Sequence, residues 1–241
     1  MHKAGQPMQP VGLIGGMSWE STAVYYRQLN LGAARRLGKM HSFPLVIHSM
    51  DFDHFERLSH VRDWATITDL LTAMGRDLKA AGVGSLVLCS NTAHIAADAV
   101  QAAVGLPLIS IIETTAQAIE REGLEKVALL GTAFTMEEGF YQTQLSRWTG
   151  AEVLIPDKED RQVIHQVIYE ELVQGVINPT SRISYQSVIS KLARKGAQGV
   201  ILGCTEIGLL ISQQDTPLSV LDSTALHCEA IVDFLIPENP A

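Results

Sequence analysis

The stretch LKAAGVGSLVLCSNT at residues 78–92 recurs in altered form as LARKGAQGVILGCTE at residues 192–206. Both stretches run from the end of an amphipathic segment through a glycine into an apolar run, and then into a triplet of polar residues. A glycine is a common helix stop, and a short apolar run is typical of a buried strand. The pair therefore predicts helix-to-strand units of a parallel sheet that is covered by helices.

The same alternation continues outward along the chain in both directions. Short apolar runs predict strands at residues 11–14, 44–48, 85–89, 107–111, 126–130, 151–154, 199–203 and 217–221. Amphipathic segments lie between them, and one carries Ile67, Leu71 and Leu78 on a single helical face before it ends at Gly82. The predicted fold class is α/β, with mainly parallel sheets.

The two halves of the chain match in order and in kind. VGLIGGMS at 11–18 corresponds to VALLGTAF at 127–134, and LPLISIIETTA at 106–116 corresponds to TPLSVLDSTA at 216–225. Successive βα units often look alike, but the longer pair quoted at the outset favours a duplicated unit. We therefore expect two pseudo-symmetric, doubly wound α/β domains. The first would comprise residues 11–113 plus 220–241 and the second 114–219, with residues 1–10 as a flexible tail.

Composition narrows the class of protein. The 241 residues carry a formal net charge of −8 without a basic block, which argues against a nucleic-acid or membrane surface. The start of the chain lacks an apolar signal region, and no segment approaches a membrane span. Three cysteines without zinc-ligand spacing are typical of free thiols in a reducing compartment. The expectation is a cytoplasmic protein that binds a small molecule.

The polar triplets come directly after two predicted strands. In open parallel sheets, ligands bind beyond the carboxyl ends of the strands. The repeat aligns Ser90 with Cys204, whereas Cys89 falls inside its strand. Because side chains alternate along a strand, only one of Cys89 and Ser90 can face a ligand. Two groups on opposite faces of one carbon suit the inversion of a stereocentre, which needs one proton removed and another delivered. That chemistry requires no metal, and nothing specific indicates pyridoxal phosphate.

Five stretches together carry a resemblance to a known family: GLIGGMSWESTAVYYRQLN, CSNTAH, ALLGTAFTMEEGFY, IHQVIYEELVQG and GVILGCTEIGLL. From Val11 to about Phe234 the chain resembles the aspartate/glutamate racemases, which are cofactor-independent amino-acid racemases. The resemblance implies two α/β domains, an active site in the cleft between them, and a homodimer. It also implies two catalytic cysteines, of which Cys204 matches one. Ser90 stands in place of the other.

The resemblance is strong to the L-aspartate/glutamate-specific branch of the family, which carries threonine at that place. The resemblance therefore implies a racemase of acidic amino acids, with wider tolerance as an option, that prefers the L-enantiomer. We expect Cys204, as a thiolate stabilised by helix amides, to remove the α-proton. The Ser90 side would return a proton, because a serine hydroxyl has no comparable ionised population.

Several further residues are candidates for binding the substrate. Asn91, Thr92, Thr205 and Glu206 match substrate-binding positions of the family, although each residue type also caps helices. Four more residues are candidates because they follow predicted strands: Met17, Ser18, Thr132 and Asp51. The alternative role for Ser18 is a helix cap, and Asp51 would alternatively lie in a surface loop without contact to the substrate.

Other polar residues receive secondary roles. Glu113 and Asp222 would orient the catalytic groups or cap helices. His94 would relay a proton or pack against the sheet, and the role of His165 is open between packing and a charge contact. The spacing of Thr135 and Glu138 predicts a capping box.

Two other functions stay open at this point. Related decarboxylases and maleate isomerases use the same fold, and one cysteine suffices to protonate a single face. A non-catalytic amino-acid binding protein is the third option, although the intact motif around Cys204 argues against it.

Overall fold

The computed structural model describes residues 9–236. Most of the predicted tail at residues 1–10 lies outside them. Within the described part the strands are β1 (Val11–Gly15), β2 (Leu45–Ser49), β3 (Ser85–Leu88), β4 (Leu108–Ile109), β5 (Lys126–Gly131), β6 (Glu152–Leu154), β7 (Gly199–Gly203) and β8 (Ser219–Asp222). Each coincides with a predicted apolar run, so the predicted α/β fold is confirmed.

Helices connect the strands throughout. The α-helices are α1 (Trp19–Leu37), α2 (Phe52–His60), α3 (Trp64–Ala80), α4 (Ala97–Val104), α5 (Ile111–Glu122), α6 (Ala133–Glu137), α7 (Phe140–Thr149), α8 (Lys158–Glu170), α9 (Pro179–Arg194), α10 (Ile207–Leu210) and α11 (Ser223–Leu235). Short 3₁₀ helices occupy Thr92–Ala96, Leu172–Gln174 and Gln213–Asp215. Among the described residues, none of these helices combines the length and apolar character needed to cross a membrane.

The chain divides into two compact units. One extends to Ser110 and resumes at His227, and the other is Ile111–Leu226. The division expected from the sequence placed residues 111–113, at the start of α5, and residues 220–226 with the first domain. In the structure β8 pairs in parallel with β7, so the later segment continues the second sheet.

The first unit is built on a parallel sheet in the order β2-β1-β3-β4. Alternating side chains of β1 and β3 supply both layers of core. Val11, Leu13 and Val87 pack with α1 and α11, whereas Leu86 and Leu88 pack with α3 and α4. Burial on both faces explains why these strands are continuously apolar.

The second unit repeats this arrangement in the order β6-β5-β7-β8, also parallel. Val127 and Leu129 pack with α5 and α7, whereas Leu130 and Leu202 pack with α8 and α9. The carboxyl ends of all four strands meet at one edge of each sheet. The polar triplets therefore follow the central strands β3 and β7 at equivalent edges of their own sheets.

Candidate active site

Cys89 belongs to the core of the first unit. Its side chain is fully buried in a cluster with Tyr25 and Leu29 of α1 and Cys228 of α11. Burial, and then the neighbouring Cys228, raise the pKa of the Cys89 thiol well above its ordinary value. A neutral thiol packed beneath α1 and α11 fits the interpretation of Cys89 as strand packing.

Ser90 takes the second position beyond β3, after Cys89. Its Oγ accepts a hydrogen bond from the backbone N–H of Ala93 at 3.4 Å, and its carbonyl accepts one from Nδ1 of His94 at 2.7 Å. The Ser90 hydroxyl, placed before Asn91 and Thr92, thus bonds the first turn of the 3₁₀ helix. Ser90, Asn91 and Thr92 are all buried.

The end of β1 lies beside this turn. Gly16 has a φ of +87°, and a Cβ there would lie 2.1 Å from the carbonyl oxygen of Met50, so only glycine fits. Met17 and Ser18 follow, both buried, and Ser18 Oγ caps α1 by accepting from the N–H of Ser21 at 3.3 Å. Ser21 Oγ in turn donates to the carbonyl of Cys89 at 3.0 Å, which ties the start of α1 to the end of β3.

Asp51 stands apart from these buried groups. It is exposed after β2, the edge strand, and caps α2 through an Oδ1 that accepts from the N–H of Asp53 at 3.4 Å. A helix cap at the surface accounts for this carboxylate.

In the second unit, Thr132 follows β5 and caps α6. Its Oγ1 accepts from the N–H of Thr135 at 3.2 Å. The predicted capping box that begins at Thr135 is wrong, because Thr135 lies inside α6 and the chain enters the helix three residues earlier. The next amide, that of Ala133, donates to Nδ1 of His165 at 3.2 Å. His165 thus contacts the backbone just beyond the end of β5, a contact that its position in the sequence does not reveal.

Cys204 follows β7 and forms a short hydrogen-bonded chain with its neighbours. Its Sγ donates to Oε2 of Glu206 at 3.0 Å, and Oγ1 of Thr205 donates to the same oxygen at 2.6 Å. All three residues are buried, with Glu206 only 3% exposed. Glu206 was expected to contact substrate, but its carboxylate oxygen accepts from the thiol. The sequence places Glu206 two residues past Cys204 but does not reveal its rotamer.

The environment of Cys204 favours the thiol over the thiolate. Burial is the largest cause that raises its pKa well above the ordinary value, followed by the charge of Glu206 and the hydrogen bond to it. The N–H groups of Glu206 and Thr205 act in the opposite direction. The helix that follows, α10, has only four residues. The resting state of Cys204 is therefore the thiol and not the expected thiolate held by helix amides. Ionisation of the thiol needs a base within reach, and the carboxylate of Glu206 can serve as that base.

Asp222 caps α11 at the end of β8. Its Oδ1 accepts from the N–H groups of Thr224 and Ala225 at 3.0 and 3.1 Å, and burial raises its pKa. Its Oδ2 would lie 2.6 Å from a Cβ at Gly208, so a glycine there lets α10 approach the carboxylate. Its counterpart Glu113 lies in the first turn of α5. Over residues 9–236, no three histidine, cysteine or acidic side chains are grouped as a metal site.

Comparisons with known proteins agree with the fold. The model of the Asp/Glu/Hydantoin racemase family matches residues 14–231. A crystal structure of a candidate Asp/Glu racemase from Yersinia pestis is 46% identical, with a TM-score of 0.88 over 95% of this chain and all of that one.

Two further relatives span almost the whole chain. An aspartate racemase homologue from Pyrococcus horikoshii is 33% identical, with a TM-score of 0.80 over 95% of this chain and 99% of that one. The broad specificity amino-acid racemase RacX of Bacillus subtilis is 24% identical over 92% of this chain and 96% of its own length.

Proposed function

Because the chain belongs to the Asp/Glu/hydantoin racemase family and is an isomerase, we propose that it racemises the acidic amino acids aspartate and glutamate without a cofactor. The observation that carries the proposal is the buried hydrogen bond from Cys204 Sγ to Glu206, which pairs a nucleophilic atom with a base. The acidic substrate class is supported by the family description and by the aspartate racemase homologue.

The first step uses Cys204 and Glu206. Glu206 takes the thiol proton, and the resulting thiolate takes the α-proton of the L-amino acid. The electron pair of the broken C–H bond passes into the substrate carboxylate, which gains enolate character. The N–H groups of Thr205 and Glu206 that favour the ionised sulfur stabilise the thiolate while it exists.

The second step uses Ser90. Its hydroxyl donates a proton to the opposite face of the α-carbon, and the electron pair returns from the enolate to form the new C–H bond. The Ala93 N–H that bonds to Oγ stabilises the negative charge left on oxygen. Water then carries the proton held by Glu206 to the Ser90 oxygen, which restores both the carboxylate and the hydroxyl. In the reverse direction Ser90 must act as the base, which is harder for an oxygen with a high pKa.

The remaining strand-end residues would hold the substrate. We assign this role to Met17, Ser18, Asn91, Thr92, Thr132 and Thr205, which are buried at the two sheet edges. Asp51 is also retained as a candidate, in the loop after β2. We assign Glu206 to proton transfer instead of substrate binding.

The proposed preference for the L-enantiomer has a specific kinetic form. The equilibrium constant of a racemisation is one, so kcat/KM has to be equal in the two directions. The asymmetry instead appears in isotope exchange. Starting from the L-enantiomer, Cys204 can remove and return the α-proton many times for each inversion. Starting from the D-enantiomer, each removal by Ser90 leads mainly to inversion.

A substrate panel tests the proposal. Aspartate, glutamate, neutral amino acids, a malonate and maleate would each be incubated with the protein and followed by chiral chromatography. Racemisation of the acidic amino acids is the expected result. Decarboxylation of the malonate, isomerisation of maleate, or binding of amino acids without turnover would each overturn it.

The proposal extends to a homodimer in the cytoplasm that binds neither nucleic acid nor membrane. Cys89, Cys204 and Cys228 are free thiols, a state that is typical of a reducing compartment. Sedimentation equilibrium would give twice the mass of one chain for a dimer, and the mass of one chain would contradict it.

A further inference from the structure

Two buried imidazoles lie beneath the turn that carries Ser90. His94 belongs to the 3₁₀ helix Thr92–Ala96 and His227 to α11. Their ring centroids are 5.9 Å apart at an interplanar angle of 72°, and neither side chain is exposed. We call these two residues the imidazole pair. The residues involved belong to the first unit, and the proton-transfer steps above do not use them.

The hydrogen bonds of the imidazole pair define which nitrogen carries the proton. Because a carbonyl only accepts, the contact of 2.7 Å from His94 Nδ1 to the Ser90 carbonyl places the hydrogen on Nδ1. By the same reasoning His227 Nε2 donates to the carbonyl of Ile109 at 2.8 Å. Its Nδ1 lies 2.7 Å from the hydroxyl of Tyr25, which donates to it.

Burial keeps both rings neutral. Burial lowers the pKa of His94 to about 4, although the hydrogen bond to the Ser90 carbonyl acts in the opposite direction. Burial also lowers the pKa of His227 to about 3, and the charge of His94 is the second cause that lowers it. Neutral rings with defined tautomers hold the backbone and side chains to which they are hydrogen-bonded in fixed positions. His227 connects α11 to the end of β4 and, through Tyr25, to α1.

The contact with the Ser90 carbonyl bears directly on the second catalytic step. His94 uses Nδ1 on the backbone of Ser90, so this nitrogen does not serve as a base for the Ser90 hydroxyl. It instead fixes the orientation of the peptide from which Oγ projects. The preceding carbonyl, that of Cys89, is fixed by Ser21. Two consecutive carbonyls are thus held by side chains, and the hydroxyl is held by the Ala93 N–H.

We propose that His94 is a positioning residue for the proton transfer at Ser90, through its hydrogen bond to the Ser90 carbonyl. The inference rests on the proposed function, because it assigns His94 to one of the two steps. Misplacement of a reacting group by about 1 Å costs about a hundredfold in rate. Loss of the bond should therefore slow inversion by about 10- to 100-fold, while exchange through Cys204 continues.

The test compares two polar replacements of one histidine. In His94→Asn the side-chain amide nitrogen lies near the place of Nδ1 and can still donate to the Ser90 carbonyl. In His94→Gln it lies nearer the place of Nε2. Each protein is incubated with L-glutamate in heavy water, and loss of the α-proton and appearance of D-glutamate are measured together. His60→Asn, at an exposed histidine of α2, is the matched control.

The expected result is an inversion-to-exchange ratio about 10- to 100-fold lower in His94→Gln and near the wild-type value in His94→Asn. An unchanged ratio in both variants would overturn the assignment, as would an equal loss of exchange and inversion in both. Absence of exchange in the wild-type protein would instead refute the proposed function itself.

A second measurement decides the matter if His94→Gln does not fold. The ¹⁵N shifts of the imidazole rings in the wild-type protein report their tautomers. A neutral His94 with hydrogen on Nδ1 that keeps its shift between pH 7 and pH 5 supports the assignment. A ring with hydrogen on Nε2, or a charged ring at pH 6, would overturn it.

Discussion

Glu206→Gln is the perturbation that separates the two proton transfers, because it keeps the shape of the side chain and removes its basicity. Oε2 of Glu206 accepts from Cys204 at 3.0 Å and from Thr205 at 2.6 Å. The glutamine oxygen can still accept hydrogen bonds, so the free energy of unfolding should fall by only about 1 kcal/mol. Loss of a positioned base costs about 10²- to 10⁴-fold in kcat, or about 3–5 kcal/mol of transition-state stabilisation.

The pH dependence gives this variant a second signature. The charge of Glu206 raises the pKa of Cys204, so its removal should lower that pKa and let the thiol ionise directly as the pH rises. Residual activity of Glu206→Gln should therefore increase with pH. The assay is kcat from the optical rotation of L-glutamate between pH 6 and pH 9, with Glu159→Gln at an exposed position of α8 as control. A kcat within threefold of wild type would refute the role of Glu206.

Three further outcomes are expected. Ser90→Cys should raise the exchange of the α-proton of D-glutamate by about tenfold or more, because a thiol ionises far more readily than a hydroxyl; NMR in heavy water measures it, and no change would contradict the role of Ser90. Gly16→Ala should destabilise the fold by about 1–3 kcal/mol in urea unfolding, more than Gly82→Ala, because a Cβ at Gly16 meets the Met50 carbonyl at 2.1 Å whereas one at Gly82 meets nothing within 4 Å. His94 has a pKa lowered to about 4, so stability should be full above about pH 6.5 and fall by about 2–3 kcal/mol from this residue as the pH drops to 4.5. Urea unfolding at both pH values measures the last effect, and a smaller pH dependence in His94→Asn is expected.

The sequence predicted the fold well because the signals are local. Continuous apolar runs such as that of β3 are required of strands buried on both faces, and the glycines before them mark where helices end. The place of Ser90 beyond its strand followed from the internal repeat together with the alternation of side chains.

Features that depend on rotamers or on distant contacts were not predictable. Glu206 is two residues from Cys204, and only the folded backbone shows that its carboxylate returns to the sulfur. The partners Tyr25 and His227 are separated by 202 residues in the chain, so their contact depends on the packing of α11 against α1. The spacing of Thr135 and Glu138 predicts a capping box, whereas in the structure Thr132, directly after β5, caps α6.

The most direct test of the central claim is α-proton exchange in heavy water. L-aspartate and L-glutamate would be incubated with the wild-type protein, with Cys204→Ala and with Cys89→Ala, and the α-proton signal followed by NMR. We predict rapid loss of the signal with wild type and Cys89→Ala, and none with Cys204→Ala. Persistence of the α-proton with the wild-type protein, or its loss at an equal rate with Cys204→Ala, would contradict a racemase that removes the proton through Cys204.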